Sequence, residues 1–158
     1  MKTALVAGGA GFIGSHLCEY LLERGYRVYA VDNLVTGSKK NIQHLFNNPQ
    51  FSWIEHNIIQ PIFMNVPCDE IYNLASPASP IDFDRIPDFI LKTSAIGHMN
   101  LLEWAKQNNA RILLASISEV YGDPLVHPQK EDYLGNVDCV GPRGCYDEAK
   151  RFAEAMTM

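Results

Sequence analysis

Thr3-Ala4-Leu5-Val6-Ala7-Gly8-Gly9-Ala10-Gly11-Phe12-Ile13-Gly14-Ser15-His16-Leu17 is the stretch that decides the fold. The apolar run from Thr3 to Ala7 closes on glycines. From Phe12 to Arg24, apolar residues then recur at helical spacing (Phe12, Ile13, Leu17, Tyr20, Leu21) until Gly25 stops them. The reading is strand, turn, helix. The glycines spell both G-x-G-x-x-G and the wider G-x-x-G-x-x-G, and chemistry accounts for them. Glycines allow the tight turn, let the backbone approach a pyrophosphate, and let helix and strand pack closely. The helix start offers free N–H groups and the positive end of its dipole to phosphates.

Working outward, Arg27 to Val31 reads as a second strand, giving a βαβ unit whose parallel strands require a right-handed crossover. Phe51 to His56 and Glu70 to Leu74 are further strand candidates, separated by turn-formers at Gln60-Pro61 and Pro67. Pro87 to Asn108 is the longest helical candidate, modestly weakened by Gly97. Arg111 to Ser116 is an apolar run of the kind buried on both faces of a parallel sheet. A polar, Pro- and Gly-rich loop follows from Gly122 to Gly144, and loops of that length are usually functional. Tyr146 to Met158 starts a helix that the chain end interrupts. The expected fold is α/β, a Rossmann-type doubly wound parallel sheet forming one domain over residues 1–158. Ligands belong beyond the carboxyl ends of its strands.

Composition narrows the partners. The 158 residues are 47% hydrophobic and 20% charged, an ordinary globular balance. Lys and Arg number 13 against 18 Asp and Glu, a formal charge of -5 with no basic block, so a small molecule is expected rather than nucleic acid. Cys18, Cys68, Cys139 and Cys145 form no C-x-x-C pair and lie at no zinc-finger spacing, which points to reduced thiols and no metal. No signal-peptide pattern opens the chain, and no run approaches the ~20 apolar residues of a membrane span, so the cytoplasm is the expected compartment.

Asp32 ends the second strand about 20 residues after the glycines, where a carboxylate accepts hydrogen bonds from ribose hydroxyls and repels a 2′-phosphate. NAD is therefore expected over NADP. Lys39 and Lys40 keep NADP open, and a turn-capping role for Asp32 is the bland alternative. Tyr146 and Lys150 form Y-x-x-x-K, sharing one helix face. A free phenol titrates near ~10 and needs a neighbouring ammonium to act as a base. Lys150 can supply one. On its own this spacing occurs on many solvated helices; downstream of a dinucleotide fingerprint it reads as catalytic.

These segments, with Leu74-Ala75-Ser76-Pro77-Ala78-Ser79-Pro80, Ser118-Glu119-Val120-Tyr121-Gly122-Asp123-Pro124, His127-Pro128-Gln129, Gly135-Asn136-Val137 and Gly141 to Arg151, resemble UDP-glucuronate decarboxylase, also called UDP-xylose synthase. That family belongs to the extended short-chain dehydrogenases/reductases. The resemblance covers essentially the whole chain and implies its N-terminal, NAD-binding part, truncated relative to the full fold, with a C-terminal substrate-binding part absent. It implies NAD held by Gly8, Gly11, Phe12, Ile13, Gly14, Asp32, Asn33, Thr36, Gly37, Asn57, Ile58, Leu74, Ala75, Ser76, Tyr146 and Lys150. It implies UDP-glucuronate met by Pro77, Ser79, Glu119 and Tyr146, and catalysis by Tyr146, Lys150, Glu119 and Ser118. The implied chemistry is oxidation at C4, loss of carbon dioxide from the resulting β-keto acid, and re-reduction to UDP-xylose. Ser118, where dehydratase relatives carry Asp, favours decarboxylation because a serine is a poor acid for a departing hydroxyl.

Three positions depart from the family pattern. Ile117 stands where a catalytic hydroxyl is expected, with Ser116 and Ser118 pointing the other way if the strand pleat persists. Asn57 replaces an Asp that recognises adenine, and Phe83 replaces a Tyr of the sugar-side loop. The chain alone is therefore expected to be inactive. A non-catalytic NAD-binding module and a nucleotide-sugar 4,6-dehydratase or 4-epimerase are the alternatives. A homo-oligomer or a complementary C-terminal chain is expected as partner, with Phe89, Met99 and Trp104 among the buried contacts.

Overall fold

The computed structural model describes residues 1–62 and 66–158. Five strands, β1 (Thr3–Ala7), β2 (Arg27–Asp32), β3 (Phe51–Glu55), β4 (Glu70–Asn73) and β5 (Arg111–Leu114), form one sheet in the order β3-β2-β1-β4-β5. Every pairing is parallel. The order turns back at β1, as a doubly wound sheet requires, and places a crevice at the carboxyl ends of β1 and β4.

Alternation along β1 shows why both faces are covered. Ala4 and Val6 pack with Cys18, Leu21 and Leu22 of helix α1 (Phe12–Glu23), while Leu5 and Ala7 pack on the other face with Leu101, Trp104 and Ala105 of α4 (His98–Asn108). Each strand face thus meets a helix. The helix expected over Pro87 to Asn108 forms, but in three parts: α3 (Pro87–Lys92), a π turn (Thr93–Gly97) and α4. A short α2 (Pro80–Arg85), begun by Pro80 in its first turn, precedes it in addition to the elements expected from the sequence. Helix α5 (Gly144–Thr157) carries the Y-x-x-x-K pair.

Two expectations are corrected. Strand β5 is not buried on both faces: it is the sheet edge, Arg111 is exposed, and Leu113 is 50% exposed. Trp104 does not face a partner; it is 3% exposed and belongs to the chain's own core beside Leu101 and Ile71. Its ring sits on the helix face turned to the sheet. Met99, on the opposite side, is 40% exposed. No helix among the described residues is long and apolar enough to cross a membrane.

Candidate active site

The glycine turn follows directly from β1. Gly8 adopts φ +80°, and its N–H and that of Gly9 both donate to the Val31 carbonyl, at 2.8 and 3.2 Å. Gly14 packs against the Gly8 carbonyl so closely that a Cβ there would collide with backbone. Helix α1 then starts with no side chain capping its N–H groups and no acidic residue in its first turn. A bare helix start above a glycine cradle suits a pyrophosphate. Phe12 and Ile13, at 78% and 67% exposure, stand open at this helix start although both are apolar.

Asp32 closes one side of the cradle. Its carboxylate accepts from the Ala10 N–H at 3.1 Å and the Leu34 N–H at 2.8 Å, and Gly37 lies directly beside it. Asn33 Oδ1 accepts from the Val35 N–H at 3.2 Å, making the local turn. Capping and ligand roles are compatible here, since a carboxylate has lone pairs beyond those two bonds.

At the other side, Tyr146 and Lys150 project from α5 between β5 and the π turn. Lys150 is nearly buried and its Nζ donates to the Ala115 carbonyl at 2.7 Å. Burial pulls its pKa down to about 8, with the Glu154 carboxylate opposing. Tyr146 stacks on Phe83, ring centroids 5.0 Å apart, and burial raises its phenol pKa, helped by the charges of Glu119 and Asp147. Lys150 Nζ is 5.8 Å from the Tyr146 ring centroid.

A cleft of about 420 Å³ joins the two sides. Of the residues expected to hold cofactor, Gly8, Gly11, Phe12, Ile13, Gly14, Asp32, Asn33, Thr36, Ile58, Leu74, Ala75, Ser76, Tyr146 and Lys150 line it, and Pro77 lines it as well. Gly37, Asn57, Ser79, Ser118 and Glu119 are not among its lining residues. Asn57 Oδ1 is engaged locally by the Ile59 N–H at 3.1 Å, Ser79 is exposed before α2, and Ser118 Oγ donates to Glu119 at 2.9 Å on the exposed side of a 3₁₀ turn (Ser118–Tyr121).

The pleat does not continue as expected after β5. The strand ends at Leu114; Ile117 is extended, packs with Phe83 and Tyr146, and lines the cleft. Ser116 also lines it while donating to Glu154. Phe89 and Thr93 line the cleft too. Ala115 and Ser116 could have been found from the strand-end rule. Phe89 and Thr93 had no such signal, because their direction depends on the π turn.

The sequence pattern of the GDP-mannose 4,6 dehydratase family matches residues 5–158. The chain belongs to that family. This family member is 53% identical over 154 residues to UDP-glucuronic acid decarboxylase 4 of Arabidopsis thaliana, covering 98% of the chain but 34% of that relative. The chain thus spans about a third of the relative's length. Among solved structures, UDP-glucose 4-epimerase of Thermotoga maritima with UDP-glucose is 31% identical, TM-score 0.83, over 98% of this chain and 49% of that one. UDP-glucose 4-epimerase of Bifidobacterium longum in complex with NAD+ and UDP is 25% identical, TM-score 0.81, over 99% and 48%.

Proposed function

We propose that residues 1–158 are the NAD-binding domain of a cytoplasmic UDP-glucuronate decarboxylase. The observation carrying this reading is that the glycine cradle, Asp32, Tyr146 and Lys150 line one cleft, in a chain 53% identical to a UDP-glucuronic acid decarboxylase. The cradle fits a dinucleotide because the uncapped α1 start and close-packed Gly14 leave backbone, not side chains, facing a pyrophosphate. Bound NAD supplies a hydride acceptor and, once reduced, a hydride donor.

Tyr146 takes the proton of the sugar C4 hydroxyl, and Lys150, adjacent on the same helix face, stabilises the phenolate that this requires. Oxidation leaves a ketone two bonds from the carboxylate, whose bonding electrons delocalise into the carbonyl as carbon dioxide departs. Glu119 and Ser118 act from the 3₁₀ turn to position the sugar or a water, and Pro77 and Ser79 border the sugar side. A homo-oligomer or a complementary chain supplies the rest of the substrate site. The four cysteines are free, in keeping with a reducing compartment.

Ile117 supports a second reading, a non-catalytic NAD-binding module, because an isoleucine beside Tyr146 can neither donate nor accept a proton. Calorimetry with NADH and NADPH, followed by assay of UDP-glucuronate conversion, separates the readings. The expected result is NADH bound more tightly than NADPH and no UDP-xylose from the chain alone. Tighter NADPH binding overturns the assignment of NAD, and turnover at an ordinary enzymatic rate overturns the expected inactivity.

A further inference from the structure

Strands β2 and β3 pair with Asp32 opposite Glu55, which sets two carboxylates on neighbouring strand ends about 5 Å apart in backbone, on the same face of the sheet. Asp32 is committed to the glycine turn through the Ala10 and Leu34 N–H groups. Glu55 is committed to a cation: its Oε2 meets Lys39 Nζ at 2.6 Å, and that ammonium also lies 5.8 Å from the Trp53 ring centroid. Lys39 is not on a wandering loop. Its turn is pinned to the same Ala10 whose N–H Asp32 holds, since the Ala10 carbonyl accepts from the Ser38 N–H at 3.0 Å and from Asn41 Nδ2 at 2.8 Å.

Lys39 is therefore a cation carried on the turn that packs on Ala10, on the Asp32 side of the cradle, and a carboxylate occupies it. We propose that Glu55 is a second NADP-excluding residue, which acts by engaging Lys39. This rests on the reading of the cleft as a dinucleotide site. Glu55 is a positioning residue, since its effect runs through Lys39, and its role follows from strand register that the local sequence does not display.

The pair is half exposed at both ends, so neither residue is needed for folding and the variants stay measurable. The test is calorimetric affinity for NADH and NADPH in the full chain, in Glu55→Gln, in Lys39→Met and in the double variant. Glu55→Gln should tighten NADPH by about fivefold, the scale of one exposed charge contact, while NADH stays within about twofold. The gain should disappear when Lys39→Met is added, and it should shrink as salt is raised, as an electrostatic effect must. An unchanged NADPH-to-NADH ratio in Glu55→Gln, or a gain that survives Lys39→Met, overturns the proposal while leaving the dinucleotide site standing. Failure of the unmodified chain to bind NADH at all removes the site reading, and this inference with it.

Discussion

Lys150 donates a hydrogen bond to the Ala115 carbonyl oxygen across 2.7 Å, which ties the middle of α5 to the chain just beyond β5. That bond satisfies one of the three donors of an ammonium otherwise buried, and burial pulls its pKa from the ordinary 10.5 down to about 8. The folded chain thus disfavours the charge, and the unfolded chain does not. Between about pH 8 and 10.5 the unfolded state holds more protons, so stability from this group rises with pH there, and below pH 8 the penalty is complete.

Lys150→Met should accordingly stabilise the free chain at pH 7. The gain is about 2 kcal/mol, the roughly 3 kcal/mol of the shift less roughly 1 kcal/mol for the lost bond to Ala115. The gain should fade as pH passes 8, and NADH affinity should drop at least tenfold because the site loses its donor. Urea titrations of both proteins between pH 7 and 10 measure it. A variant less stable than the parent at pH 7 would show that the buried ammonium carries no net cost.

Ile117 and Tyr146 share one apolar cluster at the cleft wall, where the family resemblance puts a hydroxyl. Replacing Ile117 with Thr should leave NADH affinity within about twofold, because the glycine cradle proposed to hold the dinucleotide lies on other elements. Its effect should appear in turnover. With the chain fused to the remaining length of the Arabidopsis relative, Ile117→Thr should raise UDP-xylose formation by on the order of 10²-fold or more, the scale of one proton-handling group. Equal rates for the two fusions, measured by chromatography of the nucleotide sugars, would remove the argument that Ile117 limits turnover.

Trp104 fills the core between α4 and the sheet, so Trp104→Ala is a stability variant and not an association variant. Truncating a buried aromatic of this size costs roughly 3–5 kcal/mol, which lowers the melting temperature by about 10 °C or more in a chain this long. Light scattering of the folded variant at low temperature should give the same mass as the parent. A change of mass without loss of thermal stability would return Trp104 to a partner surface.

The parts of the fold with a repeating pattern were legible. Alternation of strands with helical periodicity gave the parallel sheet, and glycines between Ala7 and Phe12 located the cradle because only backbone can approach a pyrophosphate there. What was not legible depends on distance between elements. The β5 run Ile112-Leu113-Leu114 has the apolarity of an interior strand, yet it lies at the edge, and composition carries no record of strand order. The π turn at Thr93–Gly97 adds a residue to one helical turn and so redirects Phe89 and Thr93 toward the cleft, which a fixed 3.6-residue period cannot anticipate. The Lys39 and Glu55 pair arises from register between β2 and β3 and the fold of the turn between them.

His98 gives a last, pH-dependent prediction. It is fully buried at the start of α4 and joins three elements: Nδ1 accepts from Asn73 Nδ2 at 3.0 Å, and Nε2 meets Thr157 Oγ1 at 2.8 Å. The Thr157 hydroxyl donates its own proton to the Ala153 carbonyl at 2.7 Å, so Nε2 carries the hydrogen and donates to Thr157, and the ring is neutral. Burial and then the nearby Lys150 charge pull its pKa from 6.5 down to about 4. Because the folded pKa is depressed, the unfolded chain binds the extra proton between pH 6.5 and 4. Stability should therefore fall as pH drops through that window, by on the order of 3 kcal/mol in total from this residue. Carboxylates contribute to acid unfolding as well, so the measurable quantity is the difference in slope between the parent and His98→Gln, a variant that keeps a donor and an acceptor but cannot titrate. Denaturant unfolding at closely spaced pH values from 4.5 to 6 should show the parent slope steeper by nearly one proton. Equal slopes would mean that the imidazole reaches water and protonates in the folded chain, and the Asn73–His98–Thr157 link would then not be a fixed part of the fold.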